Sequence, residues 1–287
     1  MNNSKQVYIS TGGFKNLNGI QVIKKFNNNN LSFLELSGGK YLKNISKKLI
    51  KLKGKEKLRI HNYFPPPKKS FVINLASSNK TIAKKSFNYI KKAINLAAKL
   101  NSNFYSFHAG FRIDPNPKLL GKEFVKTIMI KKSIALSKFR KNLLSLNKIA
   151  ERKKVFLFVE NNVITKKNIK KFGSNPLLLT NPNEIKNFFK NTPKNIGLLL
   201  DVAHFKVSAK TENFSLDKGI KKVNKYIKGY HLSDNNGFVD SNKGIKKDSW
   251  FFKYLKKNLN YYTIEVYDKS FENIKKQKKI LQNYLNN

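Results

Sequence analysis

A chain of 287 residues with 59 Lys and Arg against 16 Asp and Glu carries a formal charge of +43. Its 40% hydrophobic and 12% aromatic side chains exclude a disordered protein, which lacks the apolar surface to offset its ordering entropy. The absence of cysteine excludes disulfides and thiolate metal sites, and no apolar run approaches the ~18–20 residues of a membrane span.

The first apolar run, QVYIST (6–11), reads as a strand. The opening MNNSKQVYIS lacks the apolar stretch of a secretion signal, so a cytoplasmic protein is expected. LSFLELS (31–37) follows as a second strand, and the glycine pairs of TGGF and SGGK read as turns. KLRIHNYF (57–64) is a third strand, closed by the PPP of 65–67, which reads as loop. Ile82, Ser86, Tyr89, Ile90, Ala93, Ile94 and Ala97 then step by three and four after the capping-type SSN of 77–79, the signature of an amphipathic helix. FYSFHAGF (104–111) is the fourth strand, and Leu136, Phe139, Leu143, Leu146 and Ala150 mark the next helix. VFLFVENN (155–162) precedes NPNEIKNFF (181–189), a helix with an Asn cap. IGLLLDVAH (196–204), IKGYHLSD (227–234) and YYTIEVY (261–267) complete the strands, and 268–285 closes the chain as a basic helix.

These runs are nearly continuous in hydrophobicity, as strands buried on both faces are. Eight strands alternating with about eight helices predict an α/β fold, a single (β/α)8 TIM barrel over 1–287 without linker or repeat. A doubly wound open sheet is the structural alternative, but no Gly-x-Gly-x-x-Gly follows the first strand.

The four histidines, His61, His108, His204 and His231, all fall at C-terminal ends of predicted strands, the rim where barrel enzymes carry their chemistry. Glu35, Glu160, Asp201 and Glu265 stand at the same level, and Asp234 and Asp240 follow the seventh strand. Imidazoles and carboxylates crowded at one mouth repel and desolvate each other unless a cation holds them. Mixed N/O ligation suits one divalent ion among Zn, Mn, Co and Fe. The lysines are scattered through nearly every segment beside abundant Asn, Ile and Phe, the residues of A/T-rich codons. Codon bias therefore accounts for the charge, with a nucleic-acid partner as the other reading.

FHAG (107–110), VENN (159–162), LLLDVAH (198–204), YHLSDNNGFVD (230–240) and TIEVY (263–267) resemble the xylose isomerase-like TIM-barrel superfamily, which includes sugar isomerases and epimerases and the endonuclease IV family. HNYFPPPKKSFVINLASSN (61–79) further resembles sugar phosphate isomerase/epimerase-like members from surface-polysaccharide gene clusters. The resemblance implies a carbohydrate substrate, no membrane, and a homo-oligomer as an open alternative. It implies one metal held by Glu160, Asp201, His231 and Glu265, with Glu160 and Glu265 moving a proton next to a carbonyl. His108 and His204 would contact substrate oxygens, with His61, Asp234 and Asp240 as further substrate contacts. The nuclease branch is the rival: its resemblance assigns His61, His108, Glu160, Asp201, His204, His231, Asp240 and Glu265 to three zinc ions acting on abasic DNA. That branch carries a histidine where this chain has Asn242, which puts the third ion in doubt. Trp250 reads as a pocket wall or a core residue at a helix start, and Arg112 as an anion contact or a surface residue.

Overall fold

The computed structural model describes residues 5–52 and 57–287. Its strands are β1 (Val7–Ser10), β2 (Phe33–Leu36), β3 (Lys57–His61), β4 (Phe104–His108), β5 (Phe156–Glu160), β6 (Ile196–Asp201), β7 (Ile227–Leu232) and β8 (Tyr262–Ile264). All pair in parallel in chain order, and β8 returns to β1, so the sheet closes into a barrel. Closure excludes the open-sheet alternative.

Nine α-helices surround it among the described residues: α1 (Gly19–Asn27), α2 (Ile45–Lys51), α3 (Lys80–Lys99), α4 (Lys132–Arg152), α5 (Lys166–Phe172), α6 (Pro182–Phe189), α7 (Val202–Glu212), α8 (Leu216–Val223) and α9 (Phe271–Asn286). The abundant asparagines have local uses here. Asn18, Asn79 and Asn181 cap α1, α3 and α6 by accepting first-turn amide protons on their side chains. Asn30, Asn44, Asn62, Asn101, Asn213 and Asn242 take left-handed backbone conformations, which Asn tolerates better than branched residues.

Two cores result. Ile90, Ile94 and Ala97 of α3, and Phe139, Leu143 and Leu146 of α4, are buried with outward residues of the strands such as Tyr105, Phe107 and Leu157. Inside the barrel, Phe158, Leu199 and Tyr261 pack together with Phe104 against them. Arg59 joins them, 4% exposed, its guanidinium 3.6 Å from the Tyr8 ring centre and 4.4 Å from that of Tyr261. Its Nη2 donates to the Asn260 carbonyl at 2.5 Å. Cation–π contact in a desolvated setting is worth ~2 kcal/mol, which helps offset the burial of this charge.

Gly229 on β7 makes room for Tyr261, since a Cβ there would stand 2.7 Å from the Tyr261 Cβ. Gly229→Ala should therefore cost ~1–3 kcal/mol as an overpacked core does. A drop in the urea midpoint at unchanged slope would show it, and an unchanged midpoint would contradict this packing.

The sequence runs overshoot the strands at their C-terminal ends. The clearest case is 196–204: β6 stops at Asp201, and Val202 opens α7. Apolar residues continue across the junction because the first turn of α7 is as buried as the strand before it.

Candidate metal centre

Register brings the polar strand ends to one level. His61 stands opposite Ser106, His108 opposite Glu160, Asp201 opposite His231, and His231 opposite Thr263. Ring centres of His61 and His231 are 4.7 Å apart, those of His61 and His108 5.4 Å, and those of His108 and His204 5.6 Å. Glu160 is the hub, fully buried. Its Oε2 lies 3.3 Å from both His61 Nε2 and His108 Nδ1, and its Oε1 lies 3.2 Å from His231 Nδ1 and 3.5 Å from His204 Nδ1.

The strand-to-helix junction explains Asp201. As the cap of α7 it accepts the His204 amide proton on Oδ1 at 2.7 Å, which fixes the first turn that carries His204. Its Oδ2 is buried without a hydrogen-bond partner among the described residues. His204 is engaged at both ring nitrogens, Nδ1 to the Asn161 carbonyl at 3.0 Å and Nε2 to Asp240 Oδ2 at 3.1 Å.

Glu160, Asp201, His231 and Glu265 each offer a ligand atom within 4.8 Å of the others. The same holds for His61, His108 and Glu160, and for Glu35, His61 and His231. Asp201 Oδ2, Glu160 Oε2, His108 Nδ1 and Asp240 Oδ1 are all buried without a hydrogen-bond partner among the described residues. Ionised carboxylates cost several kcal/mol each to bury, so the partnerless Asp201 Oδ2 and Glu160 Oε2, on two residues of the convergent set, fit a bound cation. The donor set, oxygen with imidazole nitrogen, fits a divalent ion of the Zn, Mn, Co or Fe kind.

Titration follows the same crowding. Burial pushes the Asp201 carboxyl up to about 8; His204 pulls against it, while Glu160 and Asp240 add to it. Burial alone would depress His231 and His204, but the carboxylates around them outweigh it and hold both well above the usual imidazole range. Burial raises the Glu35 carboxyl, yet the charge and hydrogen bond of His231, then His61 and Tyr261, bring it to about 2. Asp201, His204 and His231 thus bind protons more tightly folded than unfolded. Their stabilisation is full below the unfolded pKa and is lost as pH rises through the folded one. Chelator-treated protein should lose thermal stability as pH rises from about 4 to about 8 through Asp201, and further above about pH 6.5 through the two histidines. Its gap to metal-loaded protein should widen, since deprotonated ligands bind metal better. A gap independent of pH would contradict this electrostatic account.

Not every predicted site residue joins the cluster. Asp234 is committed elsewhere: Oδ1 accepts from Lys206 Nζ at 2.7 Å, and its backbone bridges to Lys243. Asp240 reaches the cluster only through His204. Asn242 donates its side-chain amide to the Glu265 carbonyl at 3.1 Å, fixing the chain where that carboxylate leaves β8. Trp250 packs against Phe251 and Tyr254, as a core residue does. Arg112 ties two loops together, donating to the carbonyls of Ile130 and Asn175.

Sequence reasoning missed Ser106, Tyr261 and Thr263, which line the barrel beneath the cluster and hydrogen-bond to His61 or Glu35. The signal was present. Ser106 lies two residues before His108, and Thr263 two before Glu265, the spacing that keeps side chains on one strand face.

The description of xylose isomerase-like TIM barrels matches residues 19–283. The chain belongs to that family. Among curated proteins none matches it by sequence. Solved structures share the family fold: a D-tagatose 3-epimerase-like protein has TM-score 0.70 at 21% identity, covering 98% of this chain and 97% of its own. A Thermus thermophilus protein soaked with ZnCl2 has TM-score 0.62 at 15% identity, covering 96% and 97%. D-psicose 3-epimerase with D-tagatose, from Clostridium cellulolyticum, has TM-score 0.62 at 15%, covering 98% and 96%. No helix among the described residues of this xylose isomerase-like barrel is long and apolar enough to cross a membrane.

Proposed function

We propose that this protein is a divalent-metal-dependent isomerase or epimerase of a sugar or sugar phosphate, working by proton transfer next to a carbonyl. The observation that carries the reading is the set Glu160, Asp201, His231 and Glu265, buried and convergent within 4.8 Å. These four would hold the ion. When bound, it supplies Lewis-acid polarisation of a carbonyl and its neighbouring hydroxyl, which acidifies the adjacent C–H.

Glu160 and Glu265 come from β5 and from the end of β8, three strands apart around the ring, and so face the centre from different sides. One removes the carbon-bound proton and the other returns it, the arrangement epimerisation needs; a single one shuttling between carbons gives isomerisation. His204, gripped between the Asn161 carbonyl and Asp240, carries positive charge beside the reacting oxygens. His108, 29% exposed, is the accessible imidazole of the cluster and meets substrate from the mouth. The structures described as a D-tagatose 3-epimerase-like protein and a D-psicose 3-epimerase with D-tagatose support a ketose-like substrate, and the zinc-soaked one supports a metal.

The trio His61, His108 and Glu160 favours a second reading, a phosphodiesterase with more than one ion. Against it, Asn242 is spent on the Glu265 carbonyl, and His204 and Asp240 pair with each other. The deciding experiment incubates metal-loaded protein in D2O with a panel of ketoses, aldoses and their phosphates. Deuterium on the carbon beside the carbonyl is expected, with no incision of abasic DNA. Turnover without deuterium would remove the glutamates from proton transfer, and incision at substoichiometric enzyme would replace the reading altogether.

A further inference from the structure

Beneath the cluster lies a buried polar chain that the proposed proton transfer does not use. Glu35 on β2 is wholly buried. Its Oε2 accepts from the Tyr261 hydroxyl and from Thr263 Oγ1, the latter at 3.0 Å. The Tyr261 oxygen also meets Ser106 Oγ at 2.7 Å, and Ser106 Oγ meets His61 Nδ1 at 2.9 Å. Glu35 Oε1 lies 2.8 Å from His231 Nε2, and each of these two buried atoms is otherwise without a partner: neither makes a regular hydrogen bond among the described residues, so the contact they share is with each other.

Proton counting gives this chain one direction. A carboxylate only accepts, so the Tyr261 O–H is spent on Glu35. The Tyr261 oxygen must then accept from Ser106, whose own proton is thereby used. Ser106 Oγ in turn accepts from His61, which requires the proton on His61 Nδ1 and leaves the Nε2 lone pair toward Glu160. On the other side, Glu35 Oε1 is the acceptor for a proton on His231 Nε2. His231 Nδ1, which hydrogen-bonds Glu160 Oε1 at 3.2 Å and lies 2.8 Å from Glu265 Oε2, would then give up its proton in favour of a cation bound between them.

We infer that Glu35 is the positioning residue of the metal centre: one carboxylate, through its two oxygens, selects the tautomers of His231 and His61 so that both turn an unprotonated nitrogen toward Glu160. The inference rests on the reading that Glu160, Asp201, His231 and Glu265 hold a divalent ion. Metal-bound histidines commonly donate their other ring N–H to a carboxylate, which fixes ring and tautomer. Here the acceptor comes from β2, across the barrel from β7, and cannot swing away because Tyr261 and Thr263 hold its second oxygen.

The test uses zinc-loaded full-length protein and long-range 1H–15N correlation of the histidine rings. Wild type should show His231 protonated at Nε2 with Nδ1 on the metal, and His61 protonated at Nδ1. Glu35→Gln keeps an oxygen for His231, but its amide N–H now donates to Tyr261. The hydroxyl chain must reverse, so His61 should switch its proton to Nε2 while His231 does not change. Glu35→Ala should weaken zinc binding ~10–100-fold in chelator competition, the usual loss when such a partner is removed. Zinc on His231 Nε2 in wild type, or an unchanged His61 in Glu35→Gln, would overturn the inference. So would wild-type zinc affinity in a folded Glu35→Ala. The wild-type and glutamine spectra decide the matter even where the alanine variant fails to fold. Asp201→Asn separates the two levels: if it binds zinc as wild type does, the metal site itself fails, and Glu35 with it.

Discussion

Glu160→Gln and Glu265→Gln should each lower turnover by ~10²–10⁴-fold at saturating metal, the contribution of a positioned general acid or base. Glutamine keeps the shape and an acceptor oxygen but cannot take up a proton from carbon. Glu160 is the more severe change, because its charge also faces all four imidazoles of the chain. The informative result is a partial reaction. With Glu265 replaced, Glu160 can still exchange a substrate proton with solvent on its own face. Deuterium should then enter one epimer without inversion, and the converse variant should label the other. If the glutamates only held the ion, a variant reloaded with metal would keep much of its turnover and show no such split.

Asp201→Asn should abolish tight metal binding while leaving the fold intact. The reason lies at the junction of β6 and α7: Asp201 caps the helix through Oδ1, and asparagine caps about as well as aspartate. What is lost is the charge on Oδ2, the oxygen free to meet a cation. The loss should exceed the ~10–100-fold typical of residues that only support a ligand. Wild type at ~100-fold excess of metal over Kd gains ~2.7 kcal/mol of stability, readable as a rise in melting temperature over chelator-treated protein. That rise should vanish in Asp201→Asn at unchanged chelator-treated stability. An equal rise in both proteins would refute the ligand assignment. His231→Ala is the poorer test, since it strands Glu35 as an uncompensated buried charge at a cost of ~3–5 kcal/mol.

Much of this is legible in the sequence. The alternation of strand and helix runs predicts a barrel, and β1 to β8 close as one. His61 and His108 are the last residues of β3 and β4, His231 stands one residue before the end of β7, and His204 lies in the first turn after β6. Strand ends were harder to read. Apolar patterning marks burial, and the first turn of α7 at 202–205 and the βα connection of 109–113 are largely as buried as the strands they follow. Asp234 shows the other weakness: following the seventh strand it reads as a substrate contact, and pairwise contacts that the sequence does not carry tie it to Lys206.

What the sequence determined by itself is what repeats along the chain: composition, the order of elements, which residues share an inward strand face, and which residue types could carry metal chemistry. Atomic partners came only from tertiary structure. Tyr261 and Glu35 lie 226 residues apart, and Asp201 opposes His231 only through the β6–β7 register. Periodicity reports which way a side chain faces, a local property of one strand. The stagger of neighbouring strands in a closed barrel sets the level at which side chains meet, and that property belongs to the whole ring. The spare oxygen of Asp201, the commitment of Asn242 and the placement of Glu35 beneath His231 are all decided there.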